Sequence, residues 1–369
     1  MIYLDYTATT PIDKEVLETY IRVQTDFFAN IDSLHKLGQS SNYMLEKAKE
    51  EIKEIINIPN HRLVFTGSAS EANNLAIQGI VKKYSHGKII TTKIEHSSVF
   101  EVYRQLENEG YTVKYLDVDK EGIINIEQLE SYLDDKTILI SVMWINNVVG
   151  SIQPINKILK LVNKYPKTKL HVDGVQGLCK IVPEFGFKNI DLITFSGHKI
   201  FGPKGIALLA FKNNIELKKL FHGSTVQYNI RPGTVNHPAA IALCKAIKKY
   251  YPDTKKHYLK VKEINKYLRH KIKEIPNAVI NSGIEATPYI LNVSFLGYNG
   301  ETIVNQLSNY GIFVSSGSAC SSKLKKPDRT VLNITGSKER ALSTVRISLS
   351  HLTSFQDIDK LTEILTMEK

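Results

Sequence analysis

The chain has 369 residues, of which 42% are hydrophobic and 23% are charged, a composition typical of a globular protein with one or two domains. No apolar run approaches the ~18 residues that a membrane-spanning helix needs, so we expect no membrane association. The formal net charge is +11, but the lysines are scattered among acids, and no zinc spacing or RNA-binding motif accompanies them. We therefore expect a solvated basic surface and no direct nucleic acid binding, with docking of an acidic or RNA-carrying partner as the alternative.

The chain contains three cysteines, and their spacing predicts neither a disulfide framework nor a metal site. The first residues lack the basic region and apolar core of a signal peptide. Free thiols suit a reducing compartment, so we expect a cytoplasmic protein.

A strand, a small-residue turn and a helix follow one another in the first quarter of the chain. Residues 39–56 show the apolar spacing of an amphipathic helix, residues 63–66 predict a strand, and residues 72–84 predict a second helix. Free backbone N–H groups and the helix dipole face the same point at such a junction. The sequence therefore predicts a phosphate site at Ala69 and Ser70, and a capped turn without a ligand is the alternative.

Further strands are predicted at residues 88–91, 113–116, 138–142, 170–172, 193–195 and 206–210, and helices at residues 98–107, 126–133 and 155–163 alternate with most of them. This alternation predicts an α/β fold with a mostly parallel sheet covered on both faces. Ligands of such sheets bind beyond the carboxyl ends of the strands. Polar residues stand just past the predicted strand ends, namely Glu95, His96, Asn146, Asn147, Asp173 and Lys199.

A charged helical stretch over residues 237–275 predicts a long connector. Beyond it, strands are predicted at residues 290–295, 312–314 and 345–349, and helices at residues 301–308 and 356–367. These elements predict a smaller α+β unit at the C-terminal end. We expect a large domain over residues 13–250 and a small domain formed by residues 1–12 and 251–369.

The chemistry of the site is indicated by one lysine and one aspartate. Ser196, Gly197, His198 and Lys199 follow an apolar strand, and a lysine fixed at such a turn can hold a carbonyl cofactor as a Schiff base. Asp173 ends the preceding strand, and a carboxylate is the partner that a pyridinium nitrogen needs. A solvated lysine and a turn-capping acid are the alternatives for each residue alone. Together they favour pyridoxal phosphate.

The same segments resemble the class V aminotransferase superfamily, and specifically its cysteine desulfurases of the NifS/IscS-like group. Beside residues 171–176 and 196–199, the similarity rests on residues 3–11, the pair Glu95-His96, residues 315–320 and residues 344–349. It covers the chain from residue 3 to about residue 365. The resemblance implies fold type I of the pyridoxal phosphate-dependent transferases and the conversion of L-cysteine to L-alanine.

The resemblance also implies roles for residues around the cofactor ring. His96 would stack on the pyridine face and take part in proton transfer. Asn147 and Gln176 would hydrogen-bond the ring hydroxyl, and Asn147 would also lie against the substrate. Lys199 would hold the cofactor and move the proton of the substrate Cα.

The phosphate of the cofactor has its own implied partners. Ser196 and His198 match the family positions that contact it. Thr234 matches the position that reaches the phosphate of the neighbouring subunit, so the resemblance implies a homodimer. A structural role is the alternative for each of these residues.

Arg346 is the candidate for the substrate carboxylate, because a guanidinium fork matches a carboxylate bidentately. An Arg inside an apolar strand is costly without a partner, and a structural ion pair with an acid is the alternative.

Cys320 is the candidate sulfur acceptor. It stands in a stretch of small polar residues followed by lysines, and nearby cations favour the thiolate. Cys179 and Cys244 stand among apolar residues and are predicted to be structural. The persulfide on Cys320 would pass its sulfur to an acceptor protein of iron–sulfur cluster assembly, tRNA thiolation or thiamine synthesis.

Several positions depart from the family pattern. They are Ile31, Gly67-Ser68, Val148 and Ser224-Thr225; the change at Val148 is expected to remove a carboxylate beside the cofactor. Three alternatives to the desulfurase stay open at this point: a selenocysteine lyase, a small-amino-acid transaminase, and a catalytically silent sulfur-relay scaffold that kept the fold.

Overall fold

The computed structural model describes residues 1–317 and 326–367. Its strands are β1 (Ile2–Tyr3), β2 (His61–Thr66), β3 (Lys88–Thr92), β4 (Thr112–Leu116), β5 (Thr137–Met143), β6 (Lys169–Asp173), β7 (Leu192–Ser196), β8 (Ala207–Lys212), β9 (Ala278–Ile280), β10 (Ile290–Phe295), β11 (Ile312–Phe313) and β12 (Thr344–Ser348).

Its helices are α1 (Lys14–Asp26), α2 (Lys36–Ile55), α3 (Ala69–Val81), α4 (Ser97–Asn108), α5 (Ile126–Tyr132), α6 (Ile155–Val162), α7 (Val226–Ile230), α8 (His237–Tyr250), α9 (Thr254–Lys273), α10 (Gly300–Asn309), α11 (Arg329–Thr335), α12 (Lys338–Leu342) and α13 (Phe355–Met367). Short 3₁₀ turns stand at Phe187–Asn189 and Gly197–Lys199.

The large sheet has seven strands in the order β2-β8-β7-β6-β5-β3-β4. Strands β4, β3, β5, β6 and β7 are parallel, whereas β8 is antiparallel to both of its neighbours. The sequence prediction of a mostly parallel sheet is therefore confirmed. Because β2 and β7 both run against β8, the carboxyl end of β2 lies at the same edge as those of the parallel strands. That edge carries the candidate site.

Helices cover both faces of this sheet, because its strands are apolar on both sides. On one face, α3 and α4 pack on residues such as Ile89, Leu139 and Leu209. On the other face, α2, α5, α6 and α8 pack on a second set that includes Ile140, Val172 and Leu208. Burial on both faces explains why these strands read as continuous apolar runs.

A second, smaller core surrounds an antiparallel sheet in which β10 lies between β9 and β12. Helices α9, α10 and α13 pack on it. Strand β1 pairs in parallel with β11, and Leu4 belongs to the same core. These separate cores support the prediction of a large domain over residues 13–250 and a small domain formed by residues 1–12 and 251–369. The exact division stays a prediction.

The predicted connector over residues 237–275 is two helices. The first of these helices ends at Tyr250. The helix cannot continue through Tyr251 and Pro252, because proline breaks a helix. The first helix, α8, belongs to the core of the large sheet, and the second, α9, belongs to the core of the small one. Among the helices that the structure describes, none is long and apolar enough to cross a membrane.

Candidate active site

A cavity of about 270 Å³ opens at the carboxyl edge of the large sheet. Ten of the predicted site residues line it: Ala69, Ser70, His96, Asn147, Asp173, Gln176, Ser196, His198, Lys199 and Arg346. They come from six separate chain segments, which only the fold brings together. The remaining two behave differently. Thr234 is exposed and does not line the cavity, and Cys320 lies outside the described residues.

Lys199 ends the 3₁₀ turn after β7 and projects into the cavity. Its Nζ donates to the backbone carbonyls of Thr7 and Ala8, both at 2.6 Å. Thr7 and Ala8 also line the cavity. The turn needs a glycine at position 197, because a Cβ there would lie 2.9 Å from the Pro203 carbonyl oxygen. The N-terminal segment therefore covers the lysine, a contact that local sequence reasoning does not reveal.

Asp173 ends β6 with a carboxylate that is 7% exposed and held at both oxygens. Its Oδ1 accepts from the backbone N–H of Val175 at 3.0 Å. Its Oδ2 accepts from Asn73 Nδ2 at 2.9 Å. Asn73 stands on α3 and is fully buried. The carboxylate therefore has a fixed direction, which a partner for a pyridinium nitrogen requires.

His96 is the N-cap of α4. Its Nδ1 accepts from the backbone N–H of Ser98 at 3.2 Å, so the ring proton is on Nε2 in the neutral form. Burial lowers the pKa of His96, while the negative charge of Asp173 opposes that shift. A neutral imidazole can stack on an aromatic ring and can accept a proton.

Glu95, beside His96, is also buried. Its Oε1 accepts from Thr92 Oγ1 at 2.8 Å and from the backbone N–H of Met143 at 3.0 Å. Burial raises the pKa of Glu95 to about 8. The carboxyl group is therefore mostly protonated at neutral pH and anchors the loop before α4 to the end of β5.

The predicted phosphate site lies at the start of α3. This helix begins at Ala69 and not at residue 72 as predicted, because Ser68 is its N-cap and accepts from the backbone N–H of Glu71 at 3.2 Å. Ala69 and Ser70 consequently occupy the first turn, where backbone N–H groups have no partner within the helix. The earlier start places these free donors at the cavity and strengthens the case for an anion.

Glu71 ties this turn to a distant segment. Its Oε2 accepts from the backbone N–H of Gly67 at 2.7 Å, and its Oε1 accepts from Arg231 Nε at 2.9 Å. Sequence reasoning missed Arg231, although it stands three positions before Thr234. The ion pair connects the segment that carries Thr234 to the turn at residues 67–70, where the phosphate site is predicted. We call this turn the phosphate turn.

His198 lies across the cavity from this turn. Its Nδ1 is 3.1 Å from Thr9 Oγ1. Burial, followed by the charge of Lys199, lowers the pKa of His198 to about 4. The ring is therefore neutral at physiological pH and can reach a phosphate as a hydrogen-bond donor.

Gln176 and Asn147 both line the cavity. Gln176 Nε2 donates to the Thr7 carbonyl at 3.1 Å, and its Oε1 accepts from Lys180 Nζ at 2.8 Å. The backbone carbonyl of Asn147 accepts from Arg346 Nη1 at 3.0 Å. The Gln176 amide is therefore held at both ends, and Asn147 is tied through its backbone to Arg346.

Val148 does not line the cavity. It is buried in a small apolar cluster with Val149, Val331, Ile334 and Ala341. We expected the valine to remove a carboxylate from beside the cofactor. That expectation is wrong, because the side chain at position 148 packs against helix α11 and away from the cavity.

Arg346, on β12, is 2% exposed. Its Nη2 forms an ion pair with Asp5 Oδ1 at 2.9 Å, so the structural pairing considered from the sequence is present. Its Nε is buried and has no hydrogen-bond partner among the described residues. Arg346 therefore has a fixed orientation in the cavity that it lines, and a guanidinium so placed suits a carboxylate ligand.

The segment that contains Cys320 begins and ends beside this site. Ser315 and Arg346 exchange backbone hydrogen bonds of 3.2 and 2.6 Å. Gly317 stands next to Asp328, since a Cβ on Gly317 would lie 2.7 Å from Asp328 Oδ2. Both flanks of residues 318–325 therefore lie near Arg346.

Cys179 and Cys244 are buried, as predicted. Burial raises the pKa of both thiols, that of Cys244 to about 12. Neither is poised to act as a thiolate at neutral pH.

The residues present fit pyridoxal phosphate. An amine, a fixed carboxylate and a helix N-terminus lie around one cavity, and each matches one functional group of that cofactor. Among the described residues, no group of three or more His, Cys, Asp or Glu side chains could hold a metal ion.

The aminotransferase class-V family matches residues 2–361. The chain belongs to this family. It is 36% identical to a cysteine desulfurase IscS of Clostridium botulinum, an alignment that covers 99% of this chain and 93% of the relative. The predictions of the family and of its pyridoxal phosphate cofactor are thereby confirmed, and pyridoxal 5′-phosphate is the cofactor of this chain.

Solved structures agree with this assignment. A NifS-like protein superposes with a TM-score of 0.92 at 29% identity, covering 99% of this chain and 98% of its own. A structure described as SspA in complex with cysteine superposes with a TM-score of 0.83 at 32% identity, covering 96% of this chain and all of its own. The class V fold predicted from the sequence is confirmed.

Proposed function

We propose that the protein is a pyridoxal phosphate-dependent cysteine desulfurase that converts L-cysteine to L-alanine and leaves the sulfur on Cys320 as a persulfide. The observation that carries this proposal is the convergence of Lys199, Asp173 and Arg346 on one cavity, with both flanks of the Cys320 segment beside it. Full-length similarity to named cysteine desulfurases supports the same activity.

Arg346 and Asn147 would bind and orient the substrate. Arg346 lines the cavity and would hold the α-carboxylate, while the ion pair with Asp5 fixes its guanidinium. An interaction with a carboxylate inside a buried site is strong because the effective dielectric is low. The substrate Cα is thereby directed toward Lys199.

Lys199 would act twice, as the attachment point of the cofactor and as the base at the substrate Cα. The Thr7 and Ala8 carbonyls place its Nζ for that proton transfer. Bound pyridoxal phosphate supplies an electron sink for the electrons released at Cα. Asp173, oriented by its hydrogen bond from Asn73, would place a negative charge beside the ring nitrogen. His96 would cover the ring face and hold a proton at Nε2.

The Cys320 thiolate would attack the substrate sulfur. The S–Cβ bond then breaks, sulfur is gained by Cys320 as a persulfide, and Cβ is protonated to give alanine. No external oxidant is needed, because the electron pair of the broken S–Cβ bond stays on Cβ and is protonated there, so the carbon is reduced while the two sulfurs are oxidised to the persulfide.

The partners form a second part of the proposal. We propose a homodimer in which Thr234, exposed here, reaches the cofactor phosphate of the other subunit. Several large apolar side chains are exposed and available to such an interface, among them Phe28, Leu34, which is 91% exposed, Leu37 and Tyr43. We also propose a cytoplasmic location and a sulfur-acceptor protein as the recipient of the persulfide.

Alanine formation tests the reaction. The cofactor-loaded protein is incubated with L-cysteine and a thiol reductant, with and without an added α-keto acid, and alanine and sulfide are quantified. We expect equal amounts of alanine and sulfide that do not depend on the α-keto acid. Alanine that forms only with the keto acid would identify a transaminase, and no alanine under either condition would identify a silent scaffold.

A further inference from the structure

A buried lysine stands behind the site and has no role in the reaction as described above. Lys180 follows β6 by one turn and is 9% exposed. Its Nζ donates to Gln176 Oε1 at 2.8 Å. A lysine ammonium in such a place is costly to bury without a carboxylate, so its retention calls for an explanation.

The charged and titratable groups that act on Lys180 are the cations Lys199 and Arg346 and the thiol of Cys179, and no carboxylate is among them. Tyr6, Tyr250, Tyr289, His257 and His351 line the small adjoining cavity that Lys180 shares with Lys199. Burial, reinforced by the charges of Lys199 and Arg346, lowers the pKa of Lys180 to about 7. The described neighbours therefore place this amine among cations and neutral rings.

The backbone before Lys180 is unusual. Cys179 has φ = 59°, a left-handed conformation that is strained for a residue with a side chain. Gly177, two residues earlier, packs so closely on Trp144 that a Cβ would lie 2.0 Å from the indole. A turn held this tightly fixes where Lys180 points.

The hydrogen bond from Lys180 fixes the orientation of the Gln176 side-chain amide. An ammonium has donors and no acceptor, so Gln176 must present Oε1 to Lys180 and Nε2 to the cavity. The Nε2 group indeed donates to the Thr7 carbonyl, which also accepts from Lys199. A chain of hydrogen bonds thus runs from Lys180 through Gln176 and Thr7 to the reactive amine.

We propose that Lys180 is a positioning residue of the reaction: it fixes the donor side of the Gln176 amide toward the cofactor ring oxygen and supplies positive charge behind Lys199. Both effects disfavour a proton on the nitrogen that Lys199 contributes to the cofactor linkage. This inference rests on the proposed function only for the attachment of pyridoxal phosphate to Lys199, not for the fate of L-cysteine.

The test is a pH titration of the visible absorbance of the cofactor-loaded protein without substrate. Lys180→Met removes the charge and the donor, and we expect the midpoint of the absorbance change to rise by roughly one pH unit. Lys180→Arg keeps a donor-only cation and should return the midpoint toward that of the wild type. An unchanged midpoint in Lys180→Met, or an equal shift in Lys180→Arg, would overturn the proposal.

Lys49→Met is the matched control. Lys49 is 5% exposed and pairs with Glu46 on α2 at 2.6 Å. The variant therefore also removes a buried lysine, but one that does not line the site. We expect its midpoint to equal that of the wild type, and a shift there as large as in Lys180→Met would also count against Lys180. Failure of the desulfurase proposal would show in the alanine assay and would leave this titration readable.

Discussion

Asn73 Nδ2 lies 2.9 Å from Asp173 Oδ2 and donates a hydrogen bond to it. The two residues come from α3 and β6, and they meet because β6 ends and α3 begins at the same edge of the sheet. The same Asn73 amide nitrogen lies 2.9 Å from Ser98 Oγ, so one buried side chain links the helix of the phosphate turn, the carboxylate and the start of α4.

Asn73→Ala should weaken binding of pyridoxal phosphate. The carboxylate loses a hydrogen-bond donor that holds its direction, and a bond to a charged group contributes about 1.5–3 kcal/mol, or roughly 10- to 150-fold in affinity. Titration of the apoprotein with the cofactor, followed by absorbance, measures the change. Gln78→Ala on the same helix serves as the control, since Gln78 bonds Asn74 and not the site. Equal affinities in the two variants would contradict the assignment.

Arg346→Ala should reduce kcat/KM for L-cysteine far more than it reduces cofactor affinity, because the substrate offers it a carboxylate and the cofactor does not. Loss of a charge-assisted bidentate contact costs about 2–4 kcal/mol, or roughly 30- to 1000-fold. Steady-state kinetics and cofactor titration separate the two effects. A variant with normal kinetics and a lowered Tm would show that Arg346 serves only the ion pair with Asp5.

Glu95→Gln should alter how stability depends on pH. Burial raises the pKa of Glu95 to about 8, above its ordinary value, so the folded protein holds a proton that the unfolded chain releases. Stability from this group is therefore present at low pH and falls as the pH rises from about 4.5 to about 8. Glutamine keeps the acceptor and cannot ionise, so the variant should lose this decline.

Urea unfolding of the cofactor-loaded protein between pH 5 and pH 9 measures that effect. We expect the free energy of unfolding of Glu95→Gln to exceed that of the wild type at high pH by on the order of a few kcal/mol. The exposed Glu263, changed to Gln, is the control. Parallel pH curves for the wild type and Glu95→Gln would refute the prediction.

Cys320→Ala should reduce the rate of alanine production by roughly 100-fold or more, because no other side chain can supply the attacking thiolate. Binding of L-cysteine, seen as a change in the cofactor spectrum, should persist. Cys179→Ala and Cys244→Ala carry the same replacement and should keep turnover, since burial raises the pKa of both thiols. Mass spectrometry after L-cysteine treatment should locate one added sulfur on Cys320, and its appearance on either buried cysteine would reject the mechanism.

The parallel strands and the residues at their ends were predictable because burial on both faces leaves a clear apolar signal. Asp173 ends its strand, and Lys199 and His96 follow theirs. Strand β10 of the small antiparallel sheet is buried along its whole length and likewise coincides with its prediction over residues 290–295. Strand β9 and helix α1 were missed. The three residues of β9 are only partly buried, and such a short edge strand carries little pattern.

Contacts between remote parts of the chain could not be predicted in this way. Asn73 is one amide in a helix with a strong apolar pattern, and nothing local marks it as the partner of Asp173. The burial of Val148 against Val331 joins segments more than 180 positions apart along the sequence. Asp5 likewise meets Arg346 only because the residues after β1 reach β12, where Asp5 forms a bridge with Ser348.

The position of β1 has a consequence for biosynthesis. Its residues are synthesised well before their partners Ile312 and Phe313 of β11, and the Leu4 carbonyl accepts from the backbone N–H of Ser348. These bonds cannot form until Ser348 has been made, whereas the strands of the large sheet are complete by Lys212. The Thr7 and Ala8 carbonyls that hold Lys199 belong to that late-anchored segment, so Lys199 receives its final environment only after both sheets have been synthesised.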